Sequence, residues 1–182
     1  MEVDLLDRLK SFCEGRAFRT RFPIATSNDV RDTEISLQVS IPPLLRSFYT
    51  EIGNGGFGPG LGIIGLQDGY ASDFGDVVST YNVLKNCGEE NGGDWPKDVI
   101  PFCDWGCLIY SCVKCDTQQR ISTFEDGRLW SQNYSLDVFF SLWMHGTDIL
   151  NYDVEIEELE KEFVNPFTRT KEQSTFKRRK RK

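Results

Sequence analysis

Histidine is nearly absent from this chain: His145 is the only one. That removes His-rich metal sites and multi-histidine acid–base sites, because neither can be assembled from one imidazole. Long apolar runs are missing too. No stretch approaches the roughly 20 residues needed to span a bilayer, so no membrane partner is expected. The opening residues, MEVDLLDRLK, hold no basic region followed by an apolar stretch. No signal peptide is therefore expected, and the address reads as cytoplasmic. In that compartment the six cysteines are expected to be reduced. Basic charge is scarce outside one place. The last six residues, KRRKRK, are all basic; residues 1–176 hold fifteen basic against twenty-eight acidic side chains, a net −13. Such a body repels nucleic acid and attracts basic surfaces.

What is present is enough for a packed core. The chain has 182 residues, with thirteen Phe, six Tyr and four Trp. Leu5, Leu6, Leu9, Phe12 and Cys13 recur at helical spacing and predict a helix over 2–13. A weaker helix is expected over 28–38. A third follows, with Ser40 as its cap and Pro42 and Pro43 in its first turn, where no N–H is required. Its apolar face is Leu45, Phe48, Tyr49 and Ile52. Residues 61–66 suit a short strand, and residues 74–86 read as helix. VIPFCDW, CLIYSCVKC and RISTFED predict three strands in succession, with DTQQ as a turn. Ser135 and Gly146 bracket another helix, with Leu136, Phe139, Phe140 and Trp143 on one face. Residues 153–163 read as an acidic helix. The expected organisation is one domain over 1–165 and a flexible basic tail over 166–182. Helices, then a sheet, then helices predict an α+β fold, with helices packed on one face of an antiparallel or mixed sheet.

The stretch GNGGFGPGLGIIG, residues 53–65, holds seven glycines. It does not read as a phosphate loop. No Lys-Ser or Lys-Thr follows it. It also leaves a helix C-terminus and enters a strand, whereas an anion is bound where a strand enters a helix N-terminus. It reads as a helix stop and a close backbone approach.

Cys103, Cys107, Cys112 and Cys115 form C-x3-C-x4-C-x2-C, and four thiolates can hold zinc. Strand alternation, however, sends Cys107 and Cys112 to opposite faces. Buried cysteine as a small hydrophobe is the preferred reading. A zinc-binding or thiol-dependent enzyme remains an alternative. His145 sits at a predicted helix end, where a cation is favourable without catalysis. The carboxylates isolate no acid–base pair and read as a solvated acidic face. Trp95 and Trp105 read as packing residues. KRRKRK reads as a solvated arm that could fold back on an acidic body.

Four blocks resemble one family. IPPLLRSFYTEIGNGG resembles the signature of the SUKH superfamily, a proline-started helix ending in an Asn-Gly-Gly turn. WPKDVIPFCDWG resembles its second block, CLIYSCVKC the strand that follows in a bacterial branch, and SLDVFFSLWMHG the closing helix. The superfamily includes fungal cell-wall-synthesis regulators and bacterial immunity proteins that neutralise polymorphic toxins, often nucleases or deaminases. The resemblance implies a SUKH-like α+β fold, no catalysis, no cofactor, and function through protein–protein contact. It carries onto Asn54, Gly55, Gly56, Trp95, Pro96, Trp105 and Gly106 as signature positions, which read as fold-defining. Lys114 departs from it, since the similar bacterial branch is expected to be acidic there. The basic tail also lies outside the pattern.

The expected partner is a cognate protein toxin, basic and nuclease-like, bound by a monomer or weak dimer. The alternative is an interaction scaffold like the fungal regulators. No toxin-contact residue carries over from the resemblance. Loops tend to hold binding specificity, so Asp68, Asp73, Glu89, Glu90, Asp94 and Asp104 are the candidate contacts.

Overall fold

The structure is a computed structural model that describes the backbone of residues 2–15, 22–151, 154–164 and 171–181. Arg16, Arg19 and Arg21 lie outside the described residues. Two compact units are present, Met1–Thr147 and Asp148–Lys182.

The first unit is α+β. Helices α1 (Glu2–Glu14), α2 (Ser27–Leu37) and α3 (Pro43–Glu51) precede strand β1 (Gly62–Ile63) and helix α4 (Val77–Glu90). Strands β2 (Val99–Gly106), β3 (Ile109–Lys114), β4 (Arg120–Glu125) and β5 (Arg128–Ser135) follow, and α5 (Leu136–Met144) closes the unit. The sheet order is β1-β2-β3-β4-β5, and every pairing is antiparallel. No described helix is long and apolar enough to cross a membrane.

Local chemistry explains most boundaries. Thr26 and Asp29 form a reciprocal capping box at the start of α2. Pro42 is the N-cap of α3, with no side-chain bond, so Ser40 is not the cap. Asp76 caps α4 by accepting from the Ser79 N–H at 2.8 Å. Asp116 holds the DTQQ turn by accepting from the N–H groups of Gln118 and Gln119, both at 2.9 Å.

Three elements differ from the sequence reading. Helix α4 runs on to Glu90, four residues past the expected end at 86. Gly88 inside it is not a breaker; a Cβ there would meet the Trp95 ring at 3.3 Å. Strand β5 was not anticipated. Its turn is Asp126-Gly127, at φ of 52° and 71°, with Glu125 opposite Arg128. An Asp-Gly pair with both φ values positive is a favoured two-residue hairpin.

The third difference fills the second unit. Residues 153–163, expected as a helix, contain strand β6 (Val154–Val164), which pairs antiparallel with β7 (Lys171–Arg181). The expected boundary at 165/166 falls between these strands. The register places Glu155 opposite Lys180, Glu157 opposite Arg178, Glu158 opposite Lys177, and Leu159 opposite Phe176. The helical reading missed this because the complement lies some twenty residues downstream.

The core of the first unit is aromatic. Phe48 of α3 meets Phe140 of α5 at 4.4 Å, edge to face. Phe102 of β2 meets Phe139 at 5.0 Å, and Phe12 of α1 meets Trp143 at 4.9 Å. A second cluster joins Tyr81 of α4, Trp95 and Phe124 of β4. Tyr110, Ser111, Cys112 and Val113 are all buried, so β3 is covered on both faces.

Candidate interaction surface

The glycine run is a corner built around Asn54, which is 4% exposed. Its Oδ1 accepts from the Leu66 N–H at 2.7 Å, and its Nδ2 donates to the Gln67 carbonyl at 2.9 Å. Its own N–H donates to the Pro23 carbonyl, and its carbonyl accepts from the Tyr70 N–H, both at 2.9 Å. The backbone closes tightly around these bonds. Gly55 has φ 82°, and a Cβ there would lie 2.5 Å from the Ile63 carbonyl oxygen. At Gly65 a Cβ would lie 2.4 Å from the Tyr70 nitrogen. Gly56 donates its N–H to Ile63 at 2.9 Å, which pins the run against β1. The corner has no free helix N-terminus.

Trp95 is buried, and its indole N–H donates to the Val99 carbonyl at 3.1 Å; Pro96 beside it is exposed. Trp105 is half-buried, donates to the Ser111 hydroxyl at 2.8 Å, and precedes the positive-φ Gly106. Lys114 sits between two carboxylates, 3.1 Å from Asp116 and 3.7 Å from Asp98. The Asp116 contact leads in raising its pKa.

The four spaced cysteines do not converge. Cys107 lies in the β2–β3 loop and Cys115 follows the far end of β3. Six strand residues at about 3.3 Å each put roughly 20 Å between those ends. Cys103 and Cys112 are buried in neighbouring strands. Burial pushes both thiols up, and the charge of Asp104 adds to the effect at Cys103. Cys115 is pushed up to about 12, chiefly by burial and then by Asp98 and Asp116. Nucleophiles and metal ligands need thiolates, which these surroundings oppose. Among the described residues, no group of three or more His, Cys, Asp or Glu is placed to hold a metal ion. His145 caps the C-terminus of α5, with Nδ1 2.6 Å from the Ser141 carbonyl.

Five of the six candidate carboxylates fall into two groups. Asp68 and Asp73 are exposed in the loop between β1 and α4. Glu89, Glu90 and Asp94 are exposed in the last turn of α4 and the loop beyond it. The 14 residues of α4 separate the groups by about 20 Å. Asp68, Asp73, Glu90 and Asp94 have no cation within ion-pair distance among the described residues. By contrast, Lys10, Arg31, Arg46, Lys85 and Lys114 each have a carboxylate partner. Glu89 and Glu90 stand at the negative end of the α4 dipole, with no basic residue in that turn.

Asp104 is not a surface contact. It is 1% exposed in β2, and its Oδ1 accepts from the Gly106 N–H at 2.7 Å. Strand β2 is buried at every residue from Val99 to Asp104, so Asp104 lies inside the covered part of the strand and not in an exposed loop. Burial raises its pKa, the Gly106 bond opposes the rise, and Asp73 adds to it. Tyr110 is pushed up to about 12 by burial and then by Asp104. A carboxyl raised by folding favours the fold while protonated, and that contribution is lost as pH rises through the raised value. Asp104→Asn keeps an oxygen acceptor for Gly106. It should raise the urea midpoint at pH 7 and leave it unchanged at pH 3; no gain at pH 7 would refute burial as the cause.

The surface also carries exposed apolar side chains that the sequence reading did not single out, among them Leu61 and Leu108.

Comparison with curated proteins finds no match. The model of the SMI1 / KNR4 family (SUKH-1) matches residues 24–136, from the segment entering α2 to the start of α5. That span covers more than half of the chain and contains both the Asn54 corner and the four-strand meander. The chain belongs to the SMI1 / KNR4 family (SUKH-1).

Proposed function

We propose that this chain is a cytoplasmic immunity protein that binds and neutralises a cognate polymorphic toxin of basic, nuclease-like character. It acts by contact alone, with no catalysis and no cofactor. The observation that carries this reading is the set of carboxylates without a cation partner among the described residues, Asp68 and Asp73 in the loop before α4 and Glu90 and Asp94 at its far end. Glu89 and Glu90 oppose the helix dipole, an arrangement that costs stability in the free chain. A basic partner reverses that sign, and complementary charge speeds encounter and rejects wrong partners. Family membership supports the reading, because the superfamily includes immunity proteins.

The test is co-expression with toxin domains encoded beside the gene. One of them should co-purify and lose its toxicity. Replacing Glu89, Glu90 and Asp94 together by Lys should lower its association rate at least about tenfold at low salt. Failure of every neighbouring toxin domain to bind or be neutralised would overturn the proposal. Binding of other cellular proteins alone would favour the scaffold reading.

A further inference from the structure

Strands β2 and β3 are joined by a two-residue loop, Cys107-Leu108, with Gly106 opposite Ile109. Both loop residues have positive φ, 52° and 61°. That geometry suits Asn-Gly or Asp-Gly, and the sister hairpin β4–β5 uses Asp126-Gly127. A side chain in the left-handed region meets its own carbonyl, and bulky residues there are outliers. Packing does not repay the strain, because Cys107 is exposed and Leu108 is 55% exposed.

A second leucine stands beside the loop. Leu61 is 53% exposed, and its N–H donates to the Asp104 carbonyl at 2.8 Å. A Cβ on Gly106 would lie 3.5 Å from Leu61 Cδ1, so the leucine flanks the turn. One end of the sheet thus holds two strained residues and two leucines in water. Single exposed apolar residues are ordinary; a strained loop whose only product is an exposed leucine is not. Strain kept without a packing return marks a functional position.

The charge around this end is one-sided. No lysine or arginine occurs within residues 47–84 or 98–113. Asp73 lies within electrostatic reach of Asp104 and Tyr110, the facing pair one step below the loop.

We propose that Leu108 and Leu61 form the apolar anchor of the toxin interface, inserting into an apolar pocket with a basic rim on the toxin. This rests on the immunity reading. Anchors of this kind sit at the centre of an interface, with polar groups around them. The carboxylates would then steer the approach, while the leucines hold the complex.

The experiment uses the full chain and the toxin domain encoded beside its gene. Cys107→Asn with Leu108→Gly installs the favoured turn chemistry. The double variant should melt about 4–8 °C higher. It should bind the toxin domain at least about tenfold more weakly, through faster dissociation. Leu61→Ser should weaken binding similarly without the stability gain. Toxin binding by the double variant and by Leu61→Ser at wild-type affinity overturns this inference alone. No binding by the wild-type chain overturns the immunity reading and this inference with it.

Discussion

Phe140→Ala should be the most damaging single truncation in the first unit, costing about 3–5 kcal/mol of folding stability. Phe140 is fully buried on α5. Its ring meets Phe48 of α3 at 4.4 Å, Phe139 at 5.2 Å, Phe102 of β2 at 6.1 Å and Trp143 at 6.3 Å. Removing it therefore opens a void between two helices and the sheet at once. The loss has three parts: transfer of the ring, the residual cavity, and edge-to-face contacts worth about 0.5–1.5 kcal/mol each. Aromatic neighbours cannot easily collapse into the gap, because each is already held by another ring. Phe140→Leu keeps most of the volume and should cost less. The check is urea unfolding followed by far-ultraviolet circular dichroism. A loss under about 1 kcal/mol for the alanine variant would mean that this cluster is not the core.

Asn54→Ala should cost about 2–4 kcal/mol, although it removes only a few atoms. The methyl group leaves the Leu66 N–H without its acceptor and the Gln67 carbonyl without its donor. An orphaned buried polar group costs about 1–3 kcal/mol, more than the net worth of the bond it lost. For a chain of this size the thermal midpoint should fall by about 4–16 °C. Hydrogen exchange makes the test specific. The amides of Leu66 and Tyr70 should lose protection first, while those of β3 and β4 keep theirs. Uniform loss across the sheet would show that Asn54 does not hold this corner in particular.

Legibility from sequence followed the range of the interaction. Helices α3 and α5 were readable because their apolar spacing and terminal residues lie within one window. The Asn-Gly-Gly stop was readable for the same reason. Strand β5 escaped because its exposed residues, Trp130, Ser131 and Asn133, break the apolar alternation. Yet the Asp126-Gly127 turn signal stood in plain view. Gly88 misled because its reason for being glycine is Trp95, seven residues away and packed against it. Strand β6 pairs with β7, some twenty residues downstream, which no local window contains. Among the site residues, Asp104 escaped because β2 stays covered on both faces through it, which no local pattern signals. The separation of Cys107 from Cys115 needed the hairpin itself. The Cys107-Leu108 strain was invisible, since its two letters carry no turn signal.

The bonds at Asn54 reach only main-chain atoms of the loop it holds: the Leu66 N–H, the Gln67 carbonyl and the Tyr70 N–H. No side chain of Gln67, Asp68, Ala71 or Asp73 takes part in them. The frame therefore tolerates almost any alphabet at Gln67, Ala71 and Asp73, while Asp68, at φ 60°, sits where Asp, Asn or Gly is favoured. A lineage under pressure to follow a changing partner could rewrite this loop letter by letter, while the corner that presents it stays the same.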